Sequence, residues 1–107
     1  MSKSLKVRII EQARALIEDE RHWCRSELAR NKNGHSVCPT DDRAERRCAL
    51  GALIAAAYRI TNDYDRARDI ALRAVRPLYG TATLVHVNDL RGHAAVLALF
   101  DEVIAAP

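Results

Sequence analysis

The stretch CALGALIAAAYRI, residues 48–60, constrains the fold more than any other. Leu50, Leu53, Ile54, Ala57 and Tyr58 recur at three- and four-residue steps and form one bulky stripe of a helix. Cys48, Gly51, Ala52 and Ala55 form a second face of small side chains. A helix apolar over so wide an arc must be covered on more than one side, which places it at the centre of its domain. A glycine inside a helix costs about 1 kcal/mol, so Gly51 is read as a point where another helix approaches closely. The residues before it, PTDDRAERR, read as the opening of the same helix. Thr40 or Asp41 is the expected cap, and the paired aspartates suit the positive end of the helix dipole.

The other segments follow the same period. SLKVRIIEQARALIEDE predicts a first helix capped by Ser4, with Ile9, Ala13 and Leu16 along its stripe and an end near Glu20. TNDYDRARDIALRAVRPLYG predicts a third, capped by Thr61 or Asn62. Tyr64, Ala67, Ala71, Ala74 and Leu78 lie on its inner side, and Pro77 ends or kinks it. NDLRGHAAVLALFDEVIAA predicts a last helix capped by Asn88 or Asp89, with Leu90, His93, Leu97, Phe100 and Ile104 inward. TATLVHV reads equally as a short extended segment or a helical turn. Between the first two helices, SELARNKNGHSVC reads as a β-hairpin over about 26–38. Asn33-Gly34 suits a two-residue type I′ turn, a register that pairs Lys32 with His35, Arg30 with Val37 and Ala29 with Cys38.

Composition agrees with that architecture. Alanine appears 18 times while aromatics make up 5% of the 107 residues, a balance that suits close helix packing rather than a sheet. The expected fold is mainly α: one domain over residues 1–107, four helices, and a small hairpin between helices 1 and 2. No apolar run reaches the ~20 residues that span a bilayer, and no secretory leader is apparent at the start. With three cysteines, an odd number, reduced thiols and a cytoplasmic location are expected.

The pieces Trp23, Ala29-Arg30 leading to Gly34, CALGA at 48–52, Asn88-Asp89 and VLALFD at 96–101 resemble a bacterial family of small proteins of unknown function. The resemblance runs from about residue 7 to 105. It implies no activity, cofactor or substrate. Members often carry an aromatic before the Asn-Asp pair and a Gln two residues after the tryptophan, where this chain has Val87 and Arg25. If the family shares a site, the resemblance points to Trp23, Asn88 and Asp89 at its rim.

Four chemistries compete for the remaining polar residues. His22, Cys24, His35, Cys38 and Cys48 supply ligand types for zinc, but they lack a tight C-x2-4-C pair. In the expected hairpin, residues three apart point to opposite faces, so no metal site and no cofactor is expected. Cys48 with His93 and Asp89 or Asn88 supplies the types of a thiol enzyme, yet Cys48 is expected inside a helix rather than at an activating N-terminus. Arg30, Lys32, His35, Arg43, Arg46 and Arg47 make a modest basic patch for phosphates. Residues 1–47 hold 11 basic and 8 acidic groups, and residues 48–107 hold 6 of each, so the net +3 lies wholly in the first part. Aromatics interleaved for base stacking are missing from that patch. The preferred reading is a non-enzymatic binding module whose central helix keeps a face for another protein or a second copy; Trp23 is expected in the core, plugging its end, and would serve as an anchor if exposed. A nucleic-acid-associated regulator is the first alternative, and a small thiol-dependent enzyme the second.

Overall fold

The computed structural model describes residues 3–76 and 80–106. Ser4 caps α1 (Leu5–Ile17): its hydroxyl accepts from the Val7 amide. Ile9, Ile10, Ala13 and Ile17 of α1 are fully buried. A short 3-10 turn, Glu20–His22, then leads to β1 (Ala29–Arg30), which pairs antiparallel with β2 (Arg46–Arg47). The helices α2 (Ala49–Thr61), α3 (Tyr64–Ala74) and α4 (Thr81–His86) follow. A π-helical turn (Val87–Arg91) and α5 (His93–Ala105) complete the chain. The domain is thus mainly α, as the sequence implies, with five α-helices among the described residues rather than four: most of the ambiguous TATLVHV (Thr81–His86) folds as α4. No helix among the described residues is long and apolar enough to cross a membrane.

α2 is central, and both of its faces are consumed within the chain. Ala49 and residues 51–57 are all buried. The close approach at Gly51 is not made by a helix. A Cβ there would lie 1.9 Å from the backbone oxygen of Leu28, so the segment leading into β1 crosses α2 at this point. The small-residue face of α2 at Gly51 is thus covered by the Leu28 backbone just before β1. α3 packs against α2 through Ala67, Ala71 and Ala74, all fully buried, so the alanines bring the axes together. Phe100, Leu84, Val96 and Val75 fill the larger spaces, each worth roughly 1.5–3 kcal/mol when fully buried.

Several boundaries differ from the sequence reading. α2 begins at Ala49, not near Thr40, and Cys48 is its N-cap. The Cys48 amide is bound to the Leu28 carbonyl and residues 46–47 belong to β2, so tertiary pairing draws these residues out of the helix. Asp41 instead closes a tight turn by accepting from the Arg43 amide, a local bond that competes with helix. The hairpin turn has one positive-φ residue, Gly34, not two. Asn31 accepts from the amides of Asn33 and His35 through its side chain, and Arg30 faces Ser36 rather than Val37. The Asn31 side chain thus selects a longer loop and shifts the register by one. Asp63, not Thr61 or Asn62, caps α3, because Asn62 adopts the left-handed conformation that ends α2. Pro77 and Leu78 lie outside the described residues.

Candidate binding site at the Trp23–Asn88 junction

Asn88 and Asp89 do not cap a helix. They lie in the π-helical turn, which ends at Gly92 with φ +97. The break separates Leu90 from the phase of α5, and Leu90 is 71% exposed rather than inward. Asn88 is 2% exposed and uses its whole amide. Its Oδ1 accepts from the Trp23 indole Nε1 at 2.7 Å and from the Ala49 amide at 2.9 Å. Its Nδ2 donates to the Cys24 carbonyl at 3.1 Å and to Asp89 Oδ1 at 3.0 Å. One side chain therefore ties the π-turn to the start of α2 and to the segment after the 3-10 turn. Trp23 itself is 7% exposed. It plugs the end of the core, as the sequence reading expects.

Asp89 is half-buried beside this hub. Its Oδ1 also accepts from the Ser26 amide at 2.9 Å, which holds Ser26 at φ +69, a region non-glycine residues avoid. Among the described residues no hydrogen bond reaches Oδ2. Asn88 and Asp89, with Ser26, Leu28, Cys48 and Val85, line a concavity of about 220 Å³. Leu28 and Val85 are 37% and 39% exposed. The structure thus brings together the three residues singled out in the sequence, Trp23, Asn88 and Asp89. It adds Ser26, Leu28 and Val85, which no periodicity marks because they meet only through the fold.

The thiol constellation does not assemble as a catalytic pair. Cys48 Sγ accepts from the Gly51 amide at 3.3 Å. Burial pushes its pKa up, and the Asp89 carboxylate pushes in the same direction against the backbone hydrogen bonds. His93 is directed elsewhere. Its Nε2 lies 2.6 Å from the Ile17 carbonyl, and since a carbonyl only accepts, that nitrogen carries the proton. Its ring packs on Trp23 with centroids 5.6 Å apart. Cys24 is pushed up to about 11, chiefly by burial and secondarily by Cys48. Cys38 is exposed. We expect a maleimide probe to label Cys38 rapidly in the native protein, with Cys24 and Cys48 reacting only after denaturation. Fast native labelling of Cys48 would contradict the burial described here. Among the described residues no three His, Cys, Asp or Glu side chains gather into a metal-binding group.

The basic patch is largely spent on structure. Arg43 is paired with Asp41 at 2.9 Å. Arg47 donates to the Pro39 carbonyl at 2.8 Å, and burial lowers its pKa. Arg30 donates to the carbonyls of Gly34 and Arg25. Lys32 and Arg43 share one concavity with Glu45, while His35 and Arg46 are exposed.

A model of a family of unknown function, DUF6197, matches residues 1–106. The chain belongs to this family. The resemblance read from the sequence is therefore correct, and the family match covers nearly the whole chain. No curated protein and no solved structure matches this DUF6197 chain.

Proposed function

We propose that this DUF6197 protein is a small non-enzymatic binding module of the cytoplasm that docks another protein at the concavity beside Asn88 and Asp89. The observation that carries the reading is the half-used Asp89 carboxylate. One oxygen is bound twice within the domain. The other meets no donor among the described residues, and Asp89 lines the same concavity as the exposed apolar side chains of Leu28 and Val85. A polar acceptor inside an apolar rim is the layout of a protein-recognition patch. It calls for a partner segment that brings an apolar side chain and an N–H or cationic donor. The nucleic-acid alternative draws less support, because Arg43 is paired with Asp41 and Arg47 is bound to the Pro39 carbonyl. The thiol-enzyme alternative draws little, because His93 is engaged by Ile17 and burial pushes the Cys24 and Cys48 thiols up.

The test places a photo-crosslinking residue at Val85 and, as a control, at Arg66 on α3, in the cell of origin. A protein captured from Val85 and not from Arg66 is then purified and its affinity measured. Asp89→Asn is expected to weaken binding roughly tenfold to a hundredfold, the worth of a charge-assisted hydrogen bond. Identical adducts at both positions, a nucleic-acid adduct, or an affinity indifferent to Asp89→Asn would each overturn the proposal.

A further inference from the structure

The β1–β2 ladder sets Arg30 directly opposite Arg46. Side chains directly opposite in an antiparallel pair share a face, and like charges there oppose folding. Neither guanidinium has a carboxylate partner among the described residues. Arg30 is held by two backbone carbonyls, of Gly34 at 2.9 Å and Arg25 at 3.3 Å. Arg46 makes no side-chain hydrogen bond among the described residues. The third member, Arg25, has its guanidinium carbon 5.2 Å from the centre of the Trp23 ring. Arg25, Arg30 and Arg46 line one concavity of about 430 Å³ with Glu20, Trp23, Cys24 and Ser26. Three cationic forks thus face a single carboxylate, Glu20, and Glu20 forms no ion pair among the described residues.

We propose that this concavity binds a phosphoryl group, with Arg30 and Arg46 gripping its oxygens and Arg25 and the Ser26 hydroxyl completing the set. Every one of these four groups supplies hydrogen-bond donors. A carboxylate offers two oxygens in a plane, whereas a tetrahedral phosphoryl group offers three to several planar forks at once. Its double negative charge also offsets the repulsion built into the ladder. Ser26 belongs to this concavity and to the one beside Asp89, and its hydroxyl has no hydrogen bond among the described residues. Its left-handed backbone is the kind of local strain that persists where the surroundings impose it, and such strain clusters at binding sites. The site stands apart from the docking proposal, since it rests on the ladder and on none of the apolar rim.

The test titrates the full chain with inorganic phosphate, reading the fluorescence of Trp23, the sole tryptophan, and the melting temperature. Sodium chloride at matched ionic strength and sodium acetate are the comparison salts. A saturable fluorescence change with phosphate is expected, with a weaker one for acetate and none for chloride. Phosphate also stabilises folded proteins generally by exclusion from their surface, so the deciding comparison is between wild type and Arg46→Glu. That substitution places a carboxylate opposite Arg30. It is expected to raise the melting temperature in phosphate-free buffer and to abolish the saturable change. Arg46→Ala should fold normally and also lose the response. Retention of the response in either variant, no response in wild type, or equal binding of acetate would overturn the assignment.

Discussion

Asn88→Ala is expected to lose roughly 4 kcal/mol of stability, a large part of the ~5–15 kcal/mol that holds a domain folded. The reason is what the substitution leaves behind. The Trp23 indole N–H, the Ala49 amide and the Cys24 carbonyl all bind this one buried side chain. Each would be left in the interior without a partner, at a cost of ~1–3 kcal/mol apiece. For a domain near 100 residues, where 1 kcal/mol shifts the midpoint by about 4–8 °C, the fall in melting temperature should be roughly 15–30 °C. Asn88→Asp separates the two halves of the amide. It keeps the acceptor for Trp23 and Ala49 but replaces the donor to Cys24 with an oxygen, beside the Asp89 carboxylate. Burial and that neighbouring charge would raise the folded-state pKa of the new carboxyl above its unfolded value. Its protonated form is therefore the one that supports folding, present at low pH and lost as pH rises through the folded-state pKa. The expected result is a variant that gains stability relative to wild type as pH falls. Calorimetric melting across pH checks both statements, and an Asn88→Ala midpoint within a few degrees of wild type would refute the hub.

Gly51→Ala should reverse the usual sign of a helix substitution. In an exposed helix interior the change gains about 1 kcal/mol, because alanine orders at lower entropic cost. Here the new methyl carbon would sit 1.9 Å from the Leu28 backbone oxygen, a distance no side-chain rotation relieves. Either the strand segment lifts from α2, breaking the Cys48 amide to Leu28 carbonyl bond, or α2 shifts against α1 and α3. Overpacking of this kind costs ~1–3 kcal/mol, occasionally more. With backbone as the obstacle we expect about 3 kcal/mol, measured by urea denaturation. Ser4→Ala is a useful scale beside it, since removing the α1 cap should cost only about 1 kcal/mol. A Gly51→Ala variant as stable as wild type would mean that the crossing at Leu28 is looser than described.

Both predictions turn on groups whose role was hidden at the level of sequence. Asn88 followed by Asp89 and then an apolar run has the pattern of a cap, and Gly51 that of a helix–helix contact. Each reading used the right residue for a local reason. The actual reason is a neighbour distant along the chain: Trp23 for Asn88, and Leu28 for Gly51. The cysteines divide in the same way. Treating them as packing atoms rather than ligands suits Cys24 and Cys48, which are buried, while Cys38 is exposed.

Residue order alone determined the helical class, the central place of the CALGALIAAAYRI segment, the Ser4 cap and the family, because periodicity and capping are properties of neighbours along one chain. Tertiary structure decided where α2 starts, which residue meets Asn88, that Arg30 faces Arg46, and that the Leu28 backbone covers α2 at Gly51. Those outcomes depend on backbone hydrogen bonds and contacts between segments far apart in sequence, whose geometry exists only once the segments have packed.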